Sequence, residues 1–135
     1  MHPHVGLRIQ MVCATAATIT LLIGGCGGYS AEAHRVDPEL ARKTLEEVLT
    51  SWQEGATPES WQQKTPQVVV QDMEWKSGKT LKSFEILDGG QAIDANLNCQ
   101  VKLTLTDGET GERQRTVTYY VGTSPVLTVF RAPGP

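Results

Sequence analysis

The sequence predicts an α+β domain: one amphipathic helix packed on a four- to five-stranded antiparallel meander, preceded by an export segment. Three observations carry this reading. An apolar stripe at helical spacing runs through Ala41, Leu45, Val48, Leu49 and Trp52. Beyond Pro66 the apolar period drops to two, most clearly over 93–105. Turn-forming clusters at Ser77-Gly78, Asp88-Gly89-Gly90 and 107–111 divide the rest into short segments.

The beginning of the chain reads as targeting rather than fold. Residues 1–8 hold one permanent charge, Arg8, and residues 9–23 (IQMVCATAATITLLI) hold none. Ile23-Gly24-Gly25-Cys26 comes next. An aliphatic residue, two small residues and a Cys resemble the lipobox of bacterial lipoproteins. The resemblance implies a signal peptide over 1–25, transfer of a lipid to the Cys26 thiol, and cleavage that leaves Cys26 at the N-terminus. The thiol must lie at the membrane surface to meet its lipid donor, and the peptidase must close around small side chains. The uncharged run is shorter than the roughly 20 residues of a spanning helix. An ordinary secretory signal would be cut near Ala31 or Ala33 and would leave Cys26 without a role.

Residues 27–36 (GGYSAEAHRV) are small and polar and read as a tether. Ten extended residues reach about 33 Å at most, which keeps the domain near the bilayer. The formal net charge is −3, one unit more negative once Arg8 is removed. An acidic domain is a poor match for nucleic acid or anionic lipid. Of 3 cysteines, Cys13 lies in the signal and Cys26 takes lipid, so Cys99 has no disulfide partner. Stability must then come from an apolar core.

Asp37-Pro38 opens the helix, with Asp as the cap and Pro where a missing N–H is harmless. Arg42, Lys43, Glu46, Glu47 and Gln53 lie away from the apolar stripe, and Gly55 supplies a left-handed stop. Thr57-Pro58 begins a shorter helical turn through about Gln63. Val68 to Val70 form a short strand that is extended toward Trp75, and 79–87 form a second. The clearest strand covers 93–105, with Ile93, Ala95, Leu97, Cys99, Val101, Leu103 and Leu105 inward and the even residues wet. A return strand over 113–121 places Val117, Tyr119 and Val121 on one side, and 126–131 is the last strand. Residues 37–131 make the domain, and 132–135 a frayed end.

Short turns favour antiparallel neighbours, and a helix on one face of such a sheet is an α+β roll. The element order resembles cystatin-like and NTF2-like rolls. The single long helix before the sheet is closer to the cystatin-like form. The stretch 116–131 (TVTYYVGTSPVLTVFR) is similar to small planctomycete lipoproteins, a resemblance that implies no activity.

Few groups in the domain carry chemistry. His34, in the tether, is the one histidine left once His2 and His4 depart, which argues against a His-based dyad or triad. Cys99 reads as apolar filler. Asp107, Glu109 and Glu112 suit a hairpin turn better than a calcium loop. Asp72 and Glu74, and separately Glu85 and Asp94, are carboxylate pairs expected on solvated surface. Arg113 and Arg115, with Lys102 near, read as an edge or wet face. Trp52, Trp61, Trp75 and Tyr119 are expected to seal the junction of helix and sheet, although a pocket could form there.

No catalytic residue, metal ligand or cofactor site is expected; Cys26 is the one residue with an assigned chemical role, as lipid acceptor. The expected protein is a lipid-anchored cell-envelope domain, non-enzymatic, binding an envelope protein or supporting an assembly. The alternatives are a small-ligand binder with a helix–sheet pocket and an NTF2-like enzyme working through carboxylates.

Overall fold

The computed structural model describes residues 35–109 and 111–134. Cys26 with its lipobox, and His34, lie outside the described residues. Helix α1 covers Pro38–Gln53, and the Asp37 carboxylate accepts from the Glu39 and Leu40 amides at its start. Its apolar stripe is buried, with Ala41, Leu45, Val48, Leu49 and Trp52 all in the core. At its end Gly55 has φ +93°, where a Cβ would be strained. The Gly55 amide bonds to Trp52 and the Ala56 amide to Ser51, a Schellman closure. A 3₁₀ segment comes next, over Pro58–Gln63.

The strands are β1 (Val68–Gln71), β2 (Thr80–Ile86), β3 (Gln91–Ile93), β4 (Asn96–Thr106), β5 (Glu112–Gly122) and β6 (Leu127–Arg131). A four-residue helix, α2 (Met73–Lys76), lies between β1 and β2. The fold is α+β, with one curled mixed sheet in the order β1-β6-β5-β4-β2; β3 also pairs with β4. Core side chains come from α1, from β1, β2, β4, β5 and β6, and from Val36, Trp61 of the 3₁₀ segment and Trp75 of α2.

The sheet differs from a four- to five-stranded antiparallel meander in two ways. It has six strands, and β1 pairs parallel with β6, Val68 opposite Leu127 and Val70 opposite Val129. A parallel partner needs a long connection rather than a turn. Here everything from α2 through β5 is that connection, so turn spacing alone could not reveal it.

Two strand boundaries also move. The strand after Pro66 stops at Gln71, because the chain turns away after Asp72, which caps α2 through the Glu74 and Trp75 amides. The long strand over 93–105 is broken near its start. Asp94 has φ +53°, and Asp94-Ala95 form a two-residue turn that folds β3 back on β4, with Ile93 opposite Asn96. Ile93 is consequently exposed rather than inward. From Leu97 onward the inward series holds, with Leu97, Cys99, Val101, Leu103 and Leu105 all buried, but Thr104, expected on the wet face, is buried as well. The second strand alternates poorly because its register against β4 shifts between Leu81 and Ser83, a bulge at Lys82.

The core alternation on β4 generates a direct test. Leu103 is fully buried while Lys102, next to it, points to the other face. Leu103→Asp is expected to unfold the domain by burying an unpaired charge. Lys102→Thr should change stability by no more than about 0.5 kcal/mol. Thermal melts of the two variants check this.

Candidate functional site

A connected group of polar side chains sits where β1 and β6 end, beside α2. Arg131 succeeds the inward residues Leu127 and Val129 at the same parity, so its guanidinium points to the core side of the sheet. Tyr119 is its cross-strand partner on β5. A buried guanidinium needs carboxylates against it. Asp72 and Glu74 supply them.

The Arg131 Nη1 group donates to Asp72 Oδ1 at 3.2 Å and to Glu74 Oε2 at 2.5 Å. The Tyr119 hydroxyl donates to Asp72 Oδ2 at 2.5 Å. Asp72 Oδ1 also receives the two α2 amides, Glu74 at 2.9 Å and Trp75 at 3.1 Å. Glu74 Oε1 accepts from Arg115 at 2.7 Å and Lys79 at 3.2 Å. Every carboxylate oxygen of the pair therefore has at least one donor. Asp72 is 2% exposed and Glu74 9%. The expectation that these two lie on solvated surface is overturned. Asp72, still extended, continues the inward parity of Val68 and Val70 beside Arg131, and the coil of α2 brings Glu74 back to the same guanidinium.

The protonation states are set by these contacts. Burial pushes the Glu74 carboxyl upward, but the hydrogen bonds from Arg131, Arg115 and Lys79 outweigh it and hold it at about 2. Burial and the Asp72 carboxylate raise the Tyr119 hydroxyl well above its ordinary value, so it keeps its proton. Burial opposes the charge on Arg131, but the Glu74 hydrogen bond and the Asp72 charge raise its pKa. Glu74 is thus a weak base with both oxygens engaged, and Tyr119 a poor acid. The group is built as an ionic clasp, in which three cations meet two carboxylates.

Beside the clasp lies a cleft of ≈ 440 Å³. Asp72, Met73 and Glu74 form one wall, and Arg115, Thr116 and Val117 of β5 the other. Ala132 and Pro133 close its end. Met73 is 79% exposed, the most exposed of the large apolar side chains described. The Arg115 side chain keeps 43% of its surface open to water although it holds Glu74. Arg115 lies on the part of β5 that β6 does not pair, the edge expected for it. It has the core-side parity of Val117 and Tyr119 rather than the wet face, with Lys102 on the opposite face, and it reaches into the clasp.

The aromatic residues fill space. Trp52 and Trp75 stack with ring centroids 5.1 Å apart and planes 8° from parallel. The Trp52 indole donates to the Lys79 carbonyl, and the Trp75 indole to the Ala56 carbonyl, both at 2.8 Å. Trp61 donates to Ser51 Oγ at 2.7 Å, and Lys64 lies over its ring. Tyr119 is buried with its hydroxyl on Asp72.

Other predicted positions stay apart. Glu85 pairs across β2 and β4 with Lys102, while Asp94 is in the β3–β4 turn. Asp107 Oδ1 accepts from the Glu109 amide within its hairpin turn, and Glu112 is paired with Lys82. Cys99 is fully buried, and burial raises its thiol pKa. Among the described residues no group of three or more His, Cys, Asp or Glu side chains is placed to hold a metal ion. No described helix is long and apolar enough to cross a membrane. Compared with protein-family models, curated proteins and solved structures, the chain has no match.

Sequence reasoning missed Arg131 and the clasp around it. The available signal was parity: Arg131 continues the inward series of β6, and an inward Arg requires an acid nearby. Asp72 two residues before Glu74, directly after three valines and a glutamine, was the matching half.

The clasp predicts a specific pH response. Glu74 lies below its ordinary value of 4.5, so its contribution is complete above about pH 4.5 and is lost as pH falls toward 2. That contribution is up to about 3 kcal/mol. Urea melts of wild type and Glu74→Gln should differ most near neutral pH, and the gap should close between about pH 5 and pH 2. A gap constant over that window would contradict the ion pairing. Tyr119→Phe is expected to cost about 1–3 kcal/mol by leaving Asp72 Oδ2 without its donor, measured by the same melts.

Proposed function

We propose that this chain is a lipid-anchored envelope domain that binds another protein and performs no reaction itself. One observation carries the non-enzymatic half: the two carboxylates bordering the cleft are both fully engaged by donors. An acid–base catalyst needs a group that can exchange a proton near neutral pH. Glu74 at about 2 and a Tyr119 hydroxyl held far above its ordinary value do not offer one. The cleft presents instead an exposed methionine, a half-buried valine and partly open cations, a surface suited to contact.

The anchoring half rests on Ile23-Gly24-Gly25-Cys26 and the uncharged run before it. The short tether would hold the cleft within a few nanometres of the bilayer. The finer fold reading, a cystatin-like roll, is supported by α1 packing into one core with β2, β4, β5 and β6.

Two measurements test the proposal. With an alkyne fatty acid supplied to the expressing bacterium, wild type should be labelled and membrane-bound, and Cys26→Ala unlabelled; equal labelling would remove the anchor. A photocrosslinking amino acid at Met73 should yield a discrete protein adduct in cells, and the same probe at Glu46, on the exposed face of α1, should not. No adduct from Met73, or the same products from both sites, would count against partner binding in the cleft.

A further inference from the structure

Strand β5 is paired on one side along its whole length and on the other for less than half of it. Its partner β4 matches it from Glu112 to Gly122. Its other partner, β6, matches it only from Tyr119 to Gly122. One more bond, from the Ala132 amide to the Thr118 carbonyl at 2.8 Å, carries that side a residue further. Pro133 comes next, and a proline has no N–H with which to extend the ladder. Backbone groups alternate sides along a strand. Since the Thr118 carbonyl faces β6, the N–H and C=O groups of Thr116, Gln114 and Glu112 face the same side, where no described strand lies. The cleft opens along this edge at Arg115, Thr116 and Val117.

We propose that the free half of β5 takes an extended, acidic segment of a partner protein as an added strand. An unpaired edge is a template for main-chain pairing, and alternate side chains of an added strand fall on opposite faces of the sheet. On the core-side face the incoming strand would meet Arg113 and Arg115, with Lys76 across the cleft and Met73 and Val117 as apolar contacts on its two walls. The clasp sets the three cations Arg131, Arg115 and Lys79 against two carboxylates, and Arg113 and Lys76 add to that excess, so this edge is net positive toward an acidic partner. A second copy of this chain fits poorly. Antiparallel pairing of two β5 edges would set Arg113 and Arg115 against the same residues, and like charges directly opposite are destabilising. The partner's inward positions are therefore acidic beside Arg113 and Arg115, and apolar or small beside Val117.

Strand addition here rests on the protein-binding reading and specifies its site and chemistry. Its test uses the full chain, purified in an uncharged detergent, and an acetylated heptapeptide of alternating threonine and glutamate. Amide NMR titration should shift Gln114 and Thr116, and hydrogen exchange at both should slow at least tenfold. The lysine counterpart should bind at least tenfold more weakly. Peptides N-methylated at one or the other set of alternate amides should differ, one set abolishing binding and the other leaving it. Gln114→Pro removes an edge N–H without touching the β4 ladder and should weaken binding at least tenfold; if that variant does not fold, the methylated peptides still decide. Equal binding of glutamate and lysine peptides, survival of both methylations, or no binding at millimolar peptide would overturn the strand-addition site. A discrete Met73 adduct in cells alongside any of those results would leave partner binding intact and remove only the mode proposed for it.

Discussion

A single guanidinium, that of Arg131, sets the arrangement of one end of this domain. It lies on the core side of β6 with its side chain 11% exposed, and an uncompensated charge there would destabilise the fold by several kcal/mol. Two carboxylates must reach it, and both come from the three residues directly after β1. Asp72 reaches it by continuing the inward parity of β1, and Glu74 by the coil that begins at once after Asp72. Asp72 makes that coil possible by capping it, so the same carboxylate starts α2 and holds Arg131. Because β1 runs parallel to β6, the end of one strand is delivered beside the end of the other.

The junction between the two helices depends on that placement. With α2 fixed over the sheet, Trp75 lands against Trp52 of α1. Each indole donates to the residue just past the other's helix, Trp52 to Lys79 and Trp75 to Ala56. Those two carbonyls lie in matching Schellman closures: the Lys79 amide returns to Glu74 as the Ala56 amide returns to Ser51. Two helix ends are thus locked to one another by a stacked pair and two hydrogen bonds. The clasp on one side of α2 and the indole stack on the other leave Met73 facing water at the mouth of the cleft. A four-residue helix has little stability of its own; these tertiary contacts hold it.

Much of this fold is legible in the sequence where one local rule decides the outcome. Asp37-Pro38 and Gly55 bound α1 because a cap, a proline and a left-handed glycine act within a few residues. The inward series from Leu97 to Leu105 is readable because a strand buried on one face must alternate. Sequence reasoning fails where a distant partner decides. Asp72 and Glu74 look solvated until Arg131, far along the chain, is known to face inward. Nothing local distinguishes a β1 that pairs with its neighbour from one that pairs with β6. Asp94-Ala95 carries no glycine, so a tight turn there has little to announce it, and the alternating pattern runs through it. The cleft arises from β6 ending at Arg131 beside a longer β5, a mismatch of strand lengths visible only once the pairing is known.

The clasp is either an energetic link or a set of incidental contacts, and the two differ in one measurable quantity. If α2 is held by Arg131, then Glu74 and Arg131 must be coupled, and removing one should weaken the effect of removing the other. A double-mutant cycle with Glu74→Gln and Arg131→Met, read by urea unfolding at neutral pH, measures that coupling directly. The arrangement predicts about 1.5 kcal/mol or more. Additive effects, agreeing within about 0.3 kcal/mol, would contradict it.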